Sequence, residues 1–130
     1  MSYSSKVITS IIILLALIIG AGFLMTVTLS NSAKKLDSYI TEIESNTKSG
    51  NWQKAEENLK DIEKDWSKTK GVWAVMMDHI EIDNIETTLT KVAAYVESKE
   101  VPLALAEIST LKQYVKHIPQ KESFNIENIF

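Results

Sequence analysis

The stretch VITSIIILLALIIGAGFLMTVTL, Val7 to Leu29, carries no charged side chain and is apolar apart from its hydroxyls and two glycines. As a helix rising about 1.5 Å per residue it can cross a hydrocarbon core of roughly 30 Å. Lys6 bounds it on one side and Lys34-Lys35 on the other, and everything beyond is charged and amphipathic. Residues 1–6 therefore read as a short tail, 7–29 as a transmembrane anchor, and 31–119 as a helical domain. Residues 120–130 form a C-terminal tail expected to pack on that domain. A cleaved leader fits less well. The run exceeds the usual apolar length of about 7–15 residues, and neither Thr28-x-Ser30 nor Asn31-x-Ala33 resembles an A-x-A cleavage site. Gly20 and Gly22 leave a small-residue patch, but at GxG rather than GxxxG spacing.

Orientation is nearly balanced by charge, Lys6 and the free amine standing against Lys34 and Lys35 softened by Asp37. A short tail ahead of a bulkier domain favours the domain outside. The expected location is the cell membrane, crossed once, with the C-terminal domain extracytoplasmic.

Composition removes several function classes. All 14 basic residues are lysine, and 13 of them (all but Lys6) face 17 acidic residues in the part after Ser30. Without arginine, and without a basic stripe, nucleic acid is not an expected partner. Zero cysteines exclude disulfides, thiolate catalysis and Cys-type zinc sites. No cofactor is called for.

Beyond the anchor, apolar residues recur at helical spacing. Leu36, Ile40 and Ile43 form one stripe. Lys48-Ser49-Gly50-Asn51 reads as a stop, with Asn51 opening the next helix. Trp52, Ala55, Leu59, Ile62 and Trp66 form a second stripe. A third segment is expected from about Val72 to Ser98 and a fourth from Pro102 to Ile118, with Pro102 in its first turn and Pro119 ending it. The chain also echoes itself without gaps at an offset of 49. Leu36, Ile40, Ile43, Trp52, Ala55, Leu59, Ile62 and Trp66 fall opposite Ile85, Leu89, Val92, Val101, Ala104, Ile108, Leu111 and Val115. Each half is an αα-hairpin with a small alanine where its helices cross. The pattern resembles tetratricopeptide hairpins, although repeat length and consensus differ. The fold class is all-α: a transmembrane helix followed by a four-helix bundle of two αα-hairpins, the first bundle helix continuous with the anchor.

One polar cluster interrupts the apolar pattern. Counting back from Val96 through Val92, Leu89, Ile85 and Ile82, the core stripe reaches Asp78 and then Val75. A carboxylate thus lands where an apolar residue is expected. His79 and Asp83, four apart, share a helix face; Glu81 points elsewhere, and His117 is a candidate neighbour. Asp78, His79, Glu81, Asp83 and His117 are the candidate recognition or ion-binding residues. The plainest account is a hydrogen-bonded network that sets helix register. A metal site would need three or four converging ligands, of which spacing places two, and a proton sensor would centre on His79. The chain has no glycine-rich phosphate loop, nucleophile elbow or H-E-x-x-H, so no catalytic residue is assigned and the chain is not expected to be an enzyme. Trp52, Trp66 and Trp73 lie on apolar stripes and are assigned to the core. The apolar end Phe124–Phe130 either folds back on the bundle or docks a partner.

Several of these features together resemble one family. They are the N-terminal membrane helix, Asn51-Trp52 opening a helix, Trp66 and Trp73 seven apart, Asp78-His79-x-Glu81-Ile82-Asp83-Asn84-Ile85, Ala104-Leu105-Ala106-Glu107-Ile108 and Asn128-Ile129-Phe130. The chain is similar to the domain of unknown function 4363 family, which implies a short membrane-anchored helical protein of Gram-positive bacteria. The resemblance supplies no activity, so no catalytic residue carries over. The expected role is a non-enzymatic accessory or scaffold module for a membrane-protein partner or a homo-oligomer. The alternative is a small-ligand, proton or metal-ion sensing domain centred on the Asp78-His79-Glu81-Asp83 cluster.

Overall fold

The computed structural model describes the backbone of residues 2–127 and the side chains of residues 2–120. Four helices account for it: α1 (Tyr3–Ser49), α2 (Trp52–Met76), α3 (His79–Glu97) and α4 (Val101–Glu127), with no strand among the described residues. Each helix packs against its neighbours in the closed order α1, α2, α3, α4 and back to α1. The result is the all-α bundle of two hairpins that the periodicity implies.

α1 has two halves and no joint. The Ser2 hydroxyl accepts from the Ser5 amide at its start. The apolar stretch that follows is exposed along its length, with none of its most apolar window buried, and it is long and apolar enough to cross a membrane. Three of its hydroxyls are satisfied locally: Thr9, Ser10 and Thr26 donate to the carbonyls of Ser5, Lys6 and Gly22. A helix in hydrocarbon needs that internal satisfaction, because no water is there to provide it. From Leu29 the same helix turns one face inward, burying Leu29, Ala33, Leu36, Ile40, Ile43 and Thr47 at alternating steps of four and three. Leu29, assigned to the anchor from sequence, is 1% exposed and belongs to the bundle core.

The 49-residue echo holds in three dimensions. Seven of the eight matched pairs are buried on both sides, and Trp52 and Val101 are both half-buried. Ala55 and Ala104, each fully buried, sit at equivalent places in α2 and α4. The hairpin turns match atom for atom. Asn51 N–H donates to Asn46 O and Gly50 N–H to Thr47 O, just as Glu100 N–H donates to Tyr95 O and Lys99 N–H to Val96 O. Both turns are Schellman closures with a left-handed residue, Gly50 at φ 72° and Lys99 at φ 57°.

Two boundaries differ from the sequence expectation. The third helix begins at His79, not near Val72, because α2 runs on to Met76 and the chain breaks at Met77 and Asp78, both extended. Pro119 lies inside α4, which continues to Glu127. One interior proline forfeits one backbone hydrogen bond and crowds the carbonyl four residues earlier, and here the helix passes through at that cost. The side chains of the apolar end at Phe124 and Ile126 lie outside the described residues, as do residues 128–130 altogether.

Candidate functional site

The break between α2 and α3 decides what the polar cluster is. Met77 (φ −130°, ψ 160°) and Asp78 (φ −65°, ψ 139°) interrupt the helix, and the Asp78 carboxylate accepts from the Ile80 amide at 3.2 Å. Asp78 is therefore the N-cap of α3 and exposed, not a core carboxylate. The heptad count crossed a helix boundary, where phase is lost, and it misplaced Val75 for the same reason: Val75 is 76% exposed.

His79 and Asp83 do share a face of α3, and it is the solvent face. Glu81 is the member that points inward. With Asn84 from α3 and Tyr114, His117 and Ile118 from α4 it lines a small cavity of about 100 Å³. The structure thus brings Glu81 and His117 together and leaves Asp78, His79 and Asp83 outside. Among the described residues no three His, Asp or Glu side chains converge as a metal would need. As ligands for one ion, the five candidates are dispersed.

The tryptophans divide similarly. Trp66 (4% exposed) and Trp73 (fully buried) meet edge to face, with ring centroids 5.4 Å apart. Each indole N–H reaches a neighbouring helix, Trp73 donating to Ser32 Oγ at 2.8 Å and Trp66 to Glu86 Oε1 at 3.3 Å. Buried indoles need such partners, and these tie α2 to α1 and to α3. Trp52 is half-buried against the core rather than inside it.

Sequence reasoning missed the charge pairs between helices. Lys35–Asp65 (2.6 Å) joins α1 to α2, Lys70–Glu86 joins α2 to α3, Lys91–Glu107 (3.7 Å) joins α3 to α4, and Lys112–Glu44 (3.3 Å) joins α4 to α1. The hydrogen bond from Lys48, helped by that from Lys112, holds the Glu44 carboxyl below its ordinary value against the opposing effect of burial. The hydrogen bond from Lys70, helped by that from the Trp66 indole, does the same for Glu86. Asp65 holds the Lys35 ammonium above its ordinary value. No local sequence signal marks these pairs, since each joins residues at least 16 apart.

A family model for a domain of unknown function (DUF4363) matches residues 23–129. This chain belongs to the DUF4363 family. The match starts at Phe23, inside the apolar stretch, so the family domain contains the whole bundle and the last turns of that stretch. Comparison with curated proteins and with solved structures gives no match. For this DUF4363 chain, then, a functional assignment has to come from its own geometry.

Proposed function

We propose that this DUF4363 protein is a membrane-anchored, non-enzymatic helical module that crosses the membrane once through α1. It holds its bundle against the extracytoplasmic face, as a scaffold for a membrane-protein partner or a second copy. The observation that carries this is the continuity of α1. One unbroken helix presents an exposed apolar length and then, from Leu29, supplies a quarter of the bundle core. A bundle built that way has no flexible linker at its base, so tilt or rotation of the span is passed rigidly to the domain. That suits positioning or packing better than a tethered catalyst.

The native chain has no cysteine, so Ser67→Cys on the exposed side of α2 reports topology in expressing cells. Labelling of intact cells by a membrane-impermeant maleimide is the expected result. Labelling only after lysis, with an unfolded control showing that the site is reachable, would reverse the orientation. Recovery of the chain in the soluble fraction would remove the anchor. A sensor differs measurably from a scaffold. A ligand at one hundred times its Kd stabilises the folded state by about 2.7 kcal/mol. The melting temperature of the full-length protein in detergent is expected not to rise on addition of divalent cations.

A further inference from the structure

We infer that the α2–α3 corner is a second membrane contact, a lipid-facing foot that dips into the bilayer interface beside α1. The inference rests on α1 spanning the membrane, and goes beyond it by assigning a lipid-binding surface to the bundle itself.

Gly71 to Met77 carries no charge, between Lys70 and Asp78. Its outward side chains are apolar: Val72 is 48% and Val75 76% exposed, and Ile80 on the next helix is 66% exposed. Elsewhere on α2 the exposed residues are mostly charged or polar, so the apolar surface is confined to this end. The corner is also continuous with the span. Gly71, Val72, Val75 and Met76 form one almost wholly apolar groove with Leu24, Met25 and Thr28 of α1.

Length then sets the depth. About 20 helical residues cross the hydrocarbon core, and counting from Val7, just inside Lys6, reaches Thr26. Leu24 and Met25 thus lie at the edge of the core, and Val75 and Met76 beside them lie at the same level. Asp78 and His79, exposed at the same corner, limit the depth, because the corner can enter only as far as their polar groups stay hydrated among the headgroups. Burying apolar side chains at that boundary is favourable in proportion to area. Lipid is the occupant that the continuity with α1 specifies.

The test uses the full-length chain in phosphatidylcholine vesicles, with a single cysteine carrying an environment-sensitive fluorophore. Val75→Cys probes the foot, Leu15→Cys the span, and Ser98→Cys the opposite end of the bundle. Quenchers are a nitroxide on the lipid chain and aqueous iodide. The expected result is loss of emission by the lipid nitroxide at Leu15 and Val75, and by iodide at Ser98. Iodide quenching at Val75 with lipid quenching at Leu15 overturns the foot and leaves the span intact. Iodide quenching at Leu15 removes the span, and the foot with it. Lipid quenching at Ser98 as well overturns the foot in another way, because the bundle would then lie along the surface.

Discussion

At the scale of single residues, Thr47 and Asp78 show how a polar side chain can mean opposite things. The Thr47 hydroxyl is fully buried with no hydrogen-bond partner among the described residues, and its mate at the 49-residue offset is Val96, buried in the equivalent place. An unsatisfied buried hydroxyl costs roughly 1–3 kcal/mol, so Thr47→Val is expected to stabilise the bundle by about 1 kcal/mol. For a domain of this size that is a rise of about 4–8 °C in melting temperature, followed in detergent through the near-ultraviolet signal of Trp66 and Trp73. No rise would mean that the hydroxyl has found a partner. Asp78 works at the surface as a cap. Asp78→Ala is expected to cost about 1 kcal/mol and Asp78→Asn much less, because either side-chain oxygen can accept from the Ile80 amide. Equal losses in the two variants would point to the charge rather than the cap.

Helix ends and seams form the next scale. The two hairpin turns have the same hydrogen bonds and the same left-handed residue, but one uses glycine and the other lysine. A left-handed conformation costs a residue with a Cβ roughly 1–2 kcal/mol, a cost glycine escapes. Lys99→Gly is therefore expected to raise stability by about 1 kcal/mol and Gly50→Ala to lower it by a similar amount. Nothing lies within 4 Å of a Cβ built at Gly50, so backbone strain alone is being measured. Urea unfolding of the two variants checks both signs, and a gain from Gly50→Ala would contradict the shared turn. Much at this scale was legible in the chain: the stripes, the offset, and Gly50 as a stop all follow from periodicity and turn chemistry. The α2–α3 break was legible too, since Asp78 is followed three residues later by Glu81, a helix-start signature. Periodicity concealed it, because a count by threes and fours runs through a short break without registering the lost phase.

Over the whole molecule, all four seams carry a lysine–carboxylate pair, which links stability to pH. Glu44 and Glu86 hold their protons less tightly folded than unfolded. Their contribution is therefore full above the ordinary value of 4.5 and drains away as pH falls through the lower folded values. Lys35 acts in the opposite direction: its contribution is full below 10.5 and is lost as pH rises through its higher folded value. Lys35 is exposed and the two glutamates are half-exposed, so each effect is small and screened by salt. The melting temperature is expected to hold between pH 6 and 8, fall below about pH 4, and fall less steeply in a Glu44→Gln, Glu86→Gln double variant. An acid limb unchanged in that variant would place the pH dependence elsewhere.

The sequence by itself determined the apolar span, the all-α class, the two hairpins and their 49-residue repeat. Those follow from hydrophobic spacing and turn residues, which act between near neighbours in the chain. Tertiary structure alone decided that Leu29 enters the core, that Glu81 and His117 line one cavity, that Trp73 reaches Ser32, and that the tip of α2 stands beside Leu24 and Met25. Each of these joins residues on different helices, or depends on where a helix turns toward its neighbour. Such placements are set by the packing of all four helices at once, and no local pattern encodes them.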